Sequence, residues 1–183
     1  MKRTARCASL AALLAIAGCT APGPADEAAR RAEALQAAVP AAIDCGRFAA
    51  RPLDVEAHVS GSRDRAAAPV GSVLNVRLRG LGAVSPLIKP GRQEKTGARF
   101  AGLVPLRVEA SGTYTVLVAS TAWADLAEAN PPRLVAPQSF QWVTVCGTQF
   151  KSGLYALEPG RDYFVQLWDS PDRELTLIAH RLR

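Results

Sequence analysis

From about residue 53 onward, apolar and polar positions alternate with a period of two. In Leu53-Asp54-Val55-Glu56-Ala57-His58-Val59 the odd positions are apolar and the even ones carry charge or imidazole, which is the pattern of a strand with one buried face. Residues 73–79 repeat it, with Leu74, Val76 and Leu78 inward and Asn75, Arg77 and Arg79 outward. Similar runs predict strands at 99–109, 113–120, 140–145, 153–157, 163–168 and 174–180. Turn chemistry separates them. Lys89-Pro90-Gly91-Arg92 and Glu158-Pro159-Gly160-Arg161 suit type II turns, and Ser170-Pro171-Asp172-Arg173 suits type I. Segments 66–71 and 83–97 are expected to be long loops. Many short strands, with no helical period after Pro40, predict a mainly β domain. We expect an antiparallel β-sandwich of the immunoglobulin-like or jelly-roll-like kind.

The segment before the strands has a different period. Residues 25–38, ADEAARRAEALQAA, are rich in alanine, with Asp26 and Glu27 at the start, where the helix dipole favours negative charge. Pro40 is expected to stop this helix. Its apolar face holds only alanines, Leu35 and Val39, so we expect a spacer helix. Residues 20–24 contain two prolines and a glycine and form a short tether.

The first nineteen residues have a third composition. Lys2, Arg3 and Arg6 precede an uncharged run over 7–16, and small residues follow. This is the layout of a secretory signal, and the run of roughly ten residues is too short for a bilayer span, which needs about 20. Ile16-Ala17-Gly18-Cys19 resembles the lipobox of bacterial lipoproteins. The resemblance implies a signal peptide at 1–18 cut before Cys19, a diacylglycerol thioether on that sulfur, and acylation of the new amino terminus, commonly by palmitate. Several acyl chains hold a protein firmly on a membrane where one holds it marginally. Thr20 stands where many inner-membrane lipoproteins carry Asp, so by analogy the anchor belongs in an outer membrane, facing the periplasm. The expected organisation is the signal at 1–18, a lipidated tether and short helix at 19–40, and one β-sandwich domain at 41–183.

Charge and cysteine count narrow the classes further. The 183 residues include 22 Lys and Arg against 16 Asp and Glu. Removing the leader leaves a net of +3, with no basic stripe to suggest nucleic acid. With Cys7 in the leader and Cys19 acylated, Cys45 and Cys146 remain. In an exported chain they are expected to form a disulfide. Two free thiols or a metal pair are the alternatives, although zinc would want CxxC spacing and neighbouring histidines that are absent here.

A second resemblance rests on Arg99-Phe100-Ala101-Gly102-Leu103-Val104, Gly112-Thr113-Tyr114-Thr115-Val116, Trp123-Ala124-Asp125, Cys146, Leu157-Glu158-Pro159-Gly160 and Tyr163-Phe164-Val165-Gln166-Leu167. These runs resemble a family of small exported bacterial β-sandwich proteins of unknown function, over roughly the last 85 residues. The resemblance implies a fold and no activity. Some members carry an aromatic-ring dioxygenase name. A facial triad would need two histidines and a carboxylate, but His58 and His180 fall on separate strands without ligand spacing.

Other chemistry is equally sparse. Gly-x-Ser-x-Gly, Ser-x-x-Lys and phosphate-binding glycine loops do not occur. Ser111 sits in a turn before a strand, and Asp169 and Asp172 frame a proline turn without the ligand density of a calcium loop. The sequence calls for no cofactor, no metal and no catalytic residue. Lys89, Arg92, Lys95 and Arg99 make one loop basic, a candidate contact for anionic headgroups. Strand parity puts Phe164, Gln166 and Trp168 on one face, with Trp142 beside Gln141 on another strand. Trp142, Phe164 and Trp168 are therefore candidate aromatic contacts for a glycan or protein partner, weighed against a core role. Trp123 is expected to be a core anchor.

The expected function is that of a lipid-anchored envelope protein acting as a non-catalytic binding or structural module. Its partner would be the membrane through Cys19, together with an envelope protein, peptidoglycan or a glycan. One competing reading is a periplasmic hydrolase with a cleft gathering His58 or His180 with a carboxylate. Another is an accessory subunit of an envelope assembly or secretion machine.

Overall fold

The computed structural model describes residues 23–49, 52–61, 67–91 and 96–182. Cys19 and the leader lie outside the described residues, as do Arg92 and Lys95 of the basic loop.

Two sheets pack face to face. The first has six strands in the order β1-β2-β11-β5-β9-β8: Leu53–Glu56, Val73–Arg77, Glu174–Arg181, Gly112–Ala119, Thr148–Leu157 and Ser139–Val145. The second has five, in the order β3-β4-β10-β6-β7: Arg79–Gly80, Phe100–Leu106, Tyr163–Ser170, Trp123–Ala129 and Pro132–Leu134. The β-sandwich expected from the alternation is the observed architecture. Its core is made by the inward positions the period marks, among them Leu74, Val76, Leu175 and Leu177 from one sheet and Val104, Val165 and Leu167 from the other.

One pair departs from the antiparallel expectation: β1 runs parallel to β2, with Leu53 opposite Leu74. The chain between them crosses to the second sheet, where His58 bridges Leu103 and Ala68 bridges Leu106 on β4. A connection of that length frees the two strands from hairpin geometry. The Gly160 turn matches its expected chemistry, with φ of +79° at the third position.

The N-terminal helix corrects two expectations. Helix α1 spans Pro24–Ala42, so Pro40 lies inside its last turn and does not end it. Nor is it a solvated spacer. Ala32, Leu35, Gln36 and Val39 are buried, at the i, i+3, i+4, i+7 spacing of one helix face. Leu35, Val39 and Ile43 pack on Val143, Val145, Phe150, Leu154, Leu117 and Ile178 of the outer face of the six-stranded sheet. That explains why Val116-Leu117-Val118 on β5 is apolar on both parities: both faces are covered. The short helix α2, Cys45–Ala49, follows, and Cys45 forms a disulfide with Cys146, 101 positions away with a Cα–Cα distance of 5.5 Å. Among the described residues no helix is long and apolar enough to cross a membrane.

Candidate functional site

The second sheet is incompletely closed on one side. β7 pairs with β6 only from Ala127 to Ala129. One further bond, from Val135 N–H to the Leu126 carbonyl at 2.8 Å, continues that edge. Residues 123–125 of β6 therefore form an unpaired edge among the described residues. Across the opening stands β8, the outermost strand of the first sheet, which pairs only with β9. The chain crosses between the sheets at 135–138, where Gln138 N–H donates to the Leu154 carbonyl at 2.7 Å.

The opening is a cleft of about 420 Å³ lined by Trp123, Asp125, Leu134, Phe140, Lys151 and Tyr155, with Ala124, Leu126, Val135 and Pro137 completing it. Three large apolar side chains line it while partly open to solvent, Trp123 (36% exposed), Leu134 (54%) and Phe140 (51%), and Trp142 (49%) is exposed next to the lining residue Lys151. A contiguous apolar patch of this kind marks an interaction site more often than scattered exposure does. Its volume falls within the usual range for ligand pockets.

Each side chain is placed by local structure. Register pairs Phe140 with Gly153 and Trp142 with Lys151, so these four share the sandwich-facing side of β8 and β9. A Cβ on Gly153 would stand 2.6 Å from the Tyr155 hydroxyl, so the missing side chain is what lets the tyrosine ring lie along the strand. Trp123 is held on one side by the turn at Gly91, where an added Cβ would come within 3.1 Å of the indole. On the other side its Nε1–H donates to Asp125 Oδ2 at 2.7 Å.

The polar groups of the cleft are few and specific. Burial raises the Asp125 carboxyl above its ordinary value, and the indole hydrogen bond only partly opposes this. Burial and then the negative charge of Asp125 raise the Tyr155 phenol, which stays a neutral hydroxyl. The Lys151 ammonium donates to the Ala122 carbonyl at 2.5 Å and lies 5.4 Å from the centroid of the Trp142 ring, a cation–π contact. The arrangement offers an apolar floor, aromatic walls and one carboxylate, with no nucleophile beside a base.

The aromatic candidates separate sharply. Trp142 is exposed and reaches the cleft only through Lys151, whose ammonium lies 5.4 Å from its ring centroid. Phe164 and Trp168 are buried, at 2% and 6% exposure, and neither presents a ring to a ligand. The face they share with Gln166 is covered by the segment expected to be a long loop. Leu87 packs with Phe164 and Leu103, while Leu81 and Val84 pack with Trp168 and Ala101. Gln166 fastens that segment: its Oε1 accepts from Leu87 N–H at 2.8 Å and Ile88 N–H at 3.2 Å, and its Nε2 donates to the Ile88 carbonyl at 3.0 Å. A buried amide satisfying a loop's backbone looks, in sequence, like a polar residue on an exposed face. Trp123 is corrected in the opposite sense, from core anchor to cleft wall.

The remaining candidates lie elsewhere. His58 is buried beside β4, and His180 is half-buried, its imidazole lowered by burial and then by Arg47. Neither lines the cleft. Arg99 of the basic loop makes an ion pair at 3.4 Å with the buried carboxylate of Asp169. Among the described residues no three histidine, cysteine, aspartate or glutamate side chains cluster as a metal site would need. No protein family matches the chain, and no curated protein matches it.

Proposed function

We propose that the protein is a lipid-anchored cell-envelope protein whose β-sandwich is a non-catalytic binding module, with the cleft between β6 and β8 as its binding site. The convergence of Trp123, Leu134 and Phe140 on one opening carries this reading, because burying that surface against a partner is favourable by roughly 25 cal/mol per Å². The anchor rests on the basic start, short apolar run and Ile16-Ala17-Gly18-Cys19 of the sequence. The lipid on Cys19 would hold the sandwich at an outer membrane facing the periplasm, at the end of the tether and α1.

Two measurements on the full chain test the two parts. Wild type should label with fatty acid and fractionate with membranes, and Cys19→Ala should do neither; a wild type with unmodified Cys19 removes the anchor. The neutral apolar fluorophore N-phenylnaphthylamine should bind the wild type and lose binding in Leu134→Glu and Phe140→Glu. Equal binding by those exposed-site variants would remove the cleft as the site.

A further inference from the structure

Resting on the cleft as the binding site, we infer that its partner is an extended polypeptide segment that adds as a strand to the free edge of β8 and turns alternate side chains, one of them basic, into the cleft. The four outer edges of the sandwich differ in how they are protected. β1 carries Asp54 and Glu56, β3 is two residues long, and β7 is three residues long with Pro132 and Arg133. Charge, proline and brevity are the devices by which natural sheets discourage edge pairing. β8, Ser139-Phe140-Gln141-Trp142-Val143-Thr144-Val145, has seven residues, no charge and no proline. Helix α1 covers its outer face through Val143 and Val145, but Phe140, Gln141 and Trp142 stay exposed. An unguarded aromatic edge beside an apolar cleft offers backbone hydrogen bonds for affinity and a pocket for side chains, the two components of recognition by strand addition.

Charge complementarity selects the occupant. The cleft contains the Asp125 carboxylate in an apolar setting, while the Lys151 ammonium is engaged by the Ala122 carbonyl and the Trp142 ring. A basic side chain on the incoming segment would meet Asp125. A second copy of β8 pairing with the first would bring none, since that strand has no lysine or arginine.

The test uses the full chain and the peptide acetyl-Thr-Val-Thr-Lys-Thr-Val-Thr-amide, whose valines and lysine share one face. The peptide should bind, quench the tryptophan fluorescence and slow amide exchange at 139–142. Replacing its lysine by glutamate, or N-methylating two adjacent amides of it so that one faces β8 in either strand direction, should each weaken binding about tenfold or more. Equal binding by the N-methylated peptide overturns strand addition while leaving the cleft as a site. Binding of N-phenylnaphthylamine without any peptide binding does the same. A dimer in sedimentation that Gln141→Lys separates would make a second copy the occupant and overturn the inference. Failure of fluorophore and peptide alike would instead overturn the cleft reading on which it rests.

Discussion

Gln36 on the helix and Ser152 on β9 are joined by a buried hydrogen bond across 116 positions of chain, Gln36 Nε2 donating to Ser152 Oγ. Ser152 in turn shares a 3.0 Å hydrogen bond with Thr115 Oγ1 on β5. All three residues are fully buried, so the contact fixes where α1 sits on the sheet. Ser152→Ala removes the partner of a buried amide and should cost about 1 to 3 kcal/mol. Replacing Gln36 by Leu in the same chain should recover part of that loss, because the unmet amide is gone while Thr115 Oγ1 still lacks its Ser152 partner. Urea unfolding of the single and double variants measures the coupling; additive losses would show that helix and sheet are not joined through this bond.

The Cys45–Cys146 disulfide ties the start of α2, just after α1, to the turn between β8 and β9. Cross-linking positions about 100 residues apart is worth up to about 4.7 kcal/mol in the chain-entropy model. Cys45→Ser and Cys146→Ser should therefore lower the midpoint of thermal unfolding by the same amount, and reductant should bring the wild type to that value. A silent single variant would mean that the bond contributes nothing in solution.

The legibility of this molecule in its sequence follows burial symmetry. Strands such as β2 and β11, with one face inward, announce themselves by alternation. β6 does not: Ala124, Ala127 and Ala129 blur the pattern, Asp125 and Glu128 look like solvent positions, and Leu126 is its only large aliphatic residue. The cleft is hidden in the sequence with β6, since Trp123 and Asp125 are on that strand. The face of β10 is ambiguous in sequence for the converse reason, and of the two readings open to Phe164 and Trp168 the core role is the one observed. Gln166 reads as polar and exposed, whereas it is 0% exposed and satisfies the backbone at 87–88. Docking of α1 was hidden in the same way by Gln36.

Asp125 should make stability fall with rising pH. Its folded carboxyl lies above the ordinary aspartate value of about 3.9, because burial disfavours the charged form. Protonated aspartate therefore favours the fold at low pH. That contribution is lost as pH rises from the unfolded value through the raised folded one, and is constant above it. Asp125→Asn should remove this slope and leave a protein more stable than wild type at pH 7, measured by thermal unfolding at pH 4 and pH 7. An unchanged slope would show that the carboxyl is solvated.

Glu128 should act with the opposite sign. Burial alone would raise its carboxyl, but hydrogen bonds and charge from Arg133 and Arg161 outweigh this and hold it below the ordinary glutamate range. Oxygen Oε2 lies 2.5 Å from Arg133 and 3.2 Å from Arg161. Its stabilisation is present above the unfolded value and disappears as pH falls through the lowered folded one. Glu128→Gln should cost about 1 to 2 kcal/mol at pH 7 and little at pH 2. Equal losses at both pH values would assign the effect to packing.

Gly153 controls the depth of the cleft. An added Cβ would stand 2.6 Å from the Tyr155 hydroxyl and 2.7 and 2.8 Å from two ring carbons, so in Gly153→Ala the tyrosine must leave its place along β9. Tyr155 is 5% exposed and lines the cleft, and the space open to it is the cleft itself. Overpacking of this kind costs typically 1 to 3 kcal/mol, and the displaced ring should also abolish N-phenylnaphthylamine binding. Tyr155→Leu in the Gly153→Ala background removes the clashing atoms and should restore both stability and part of the binding. Restored stability without any binding would mean that the tyrosine hydroxyl or ring contacts the ligand directly. Unaltered binding in Gly153→Ala alone would place the ligand outside the cleft.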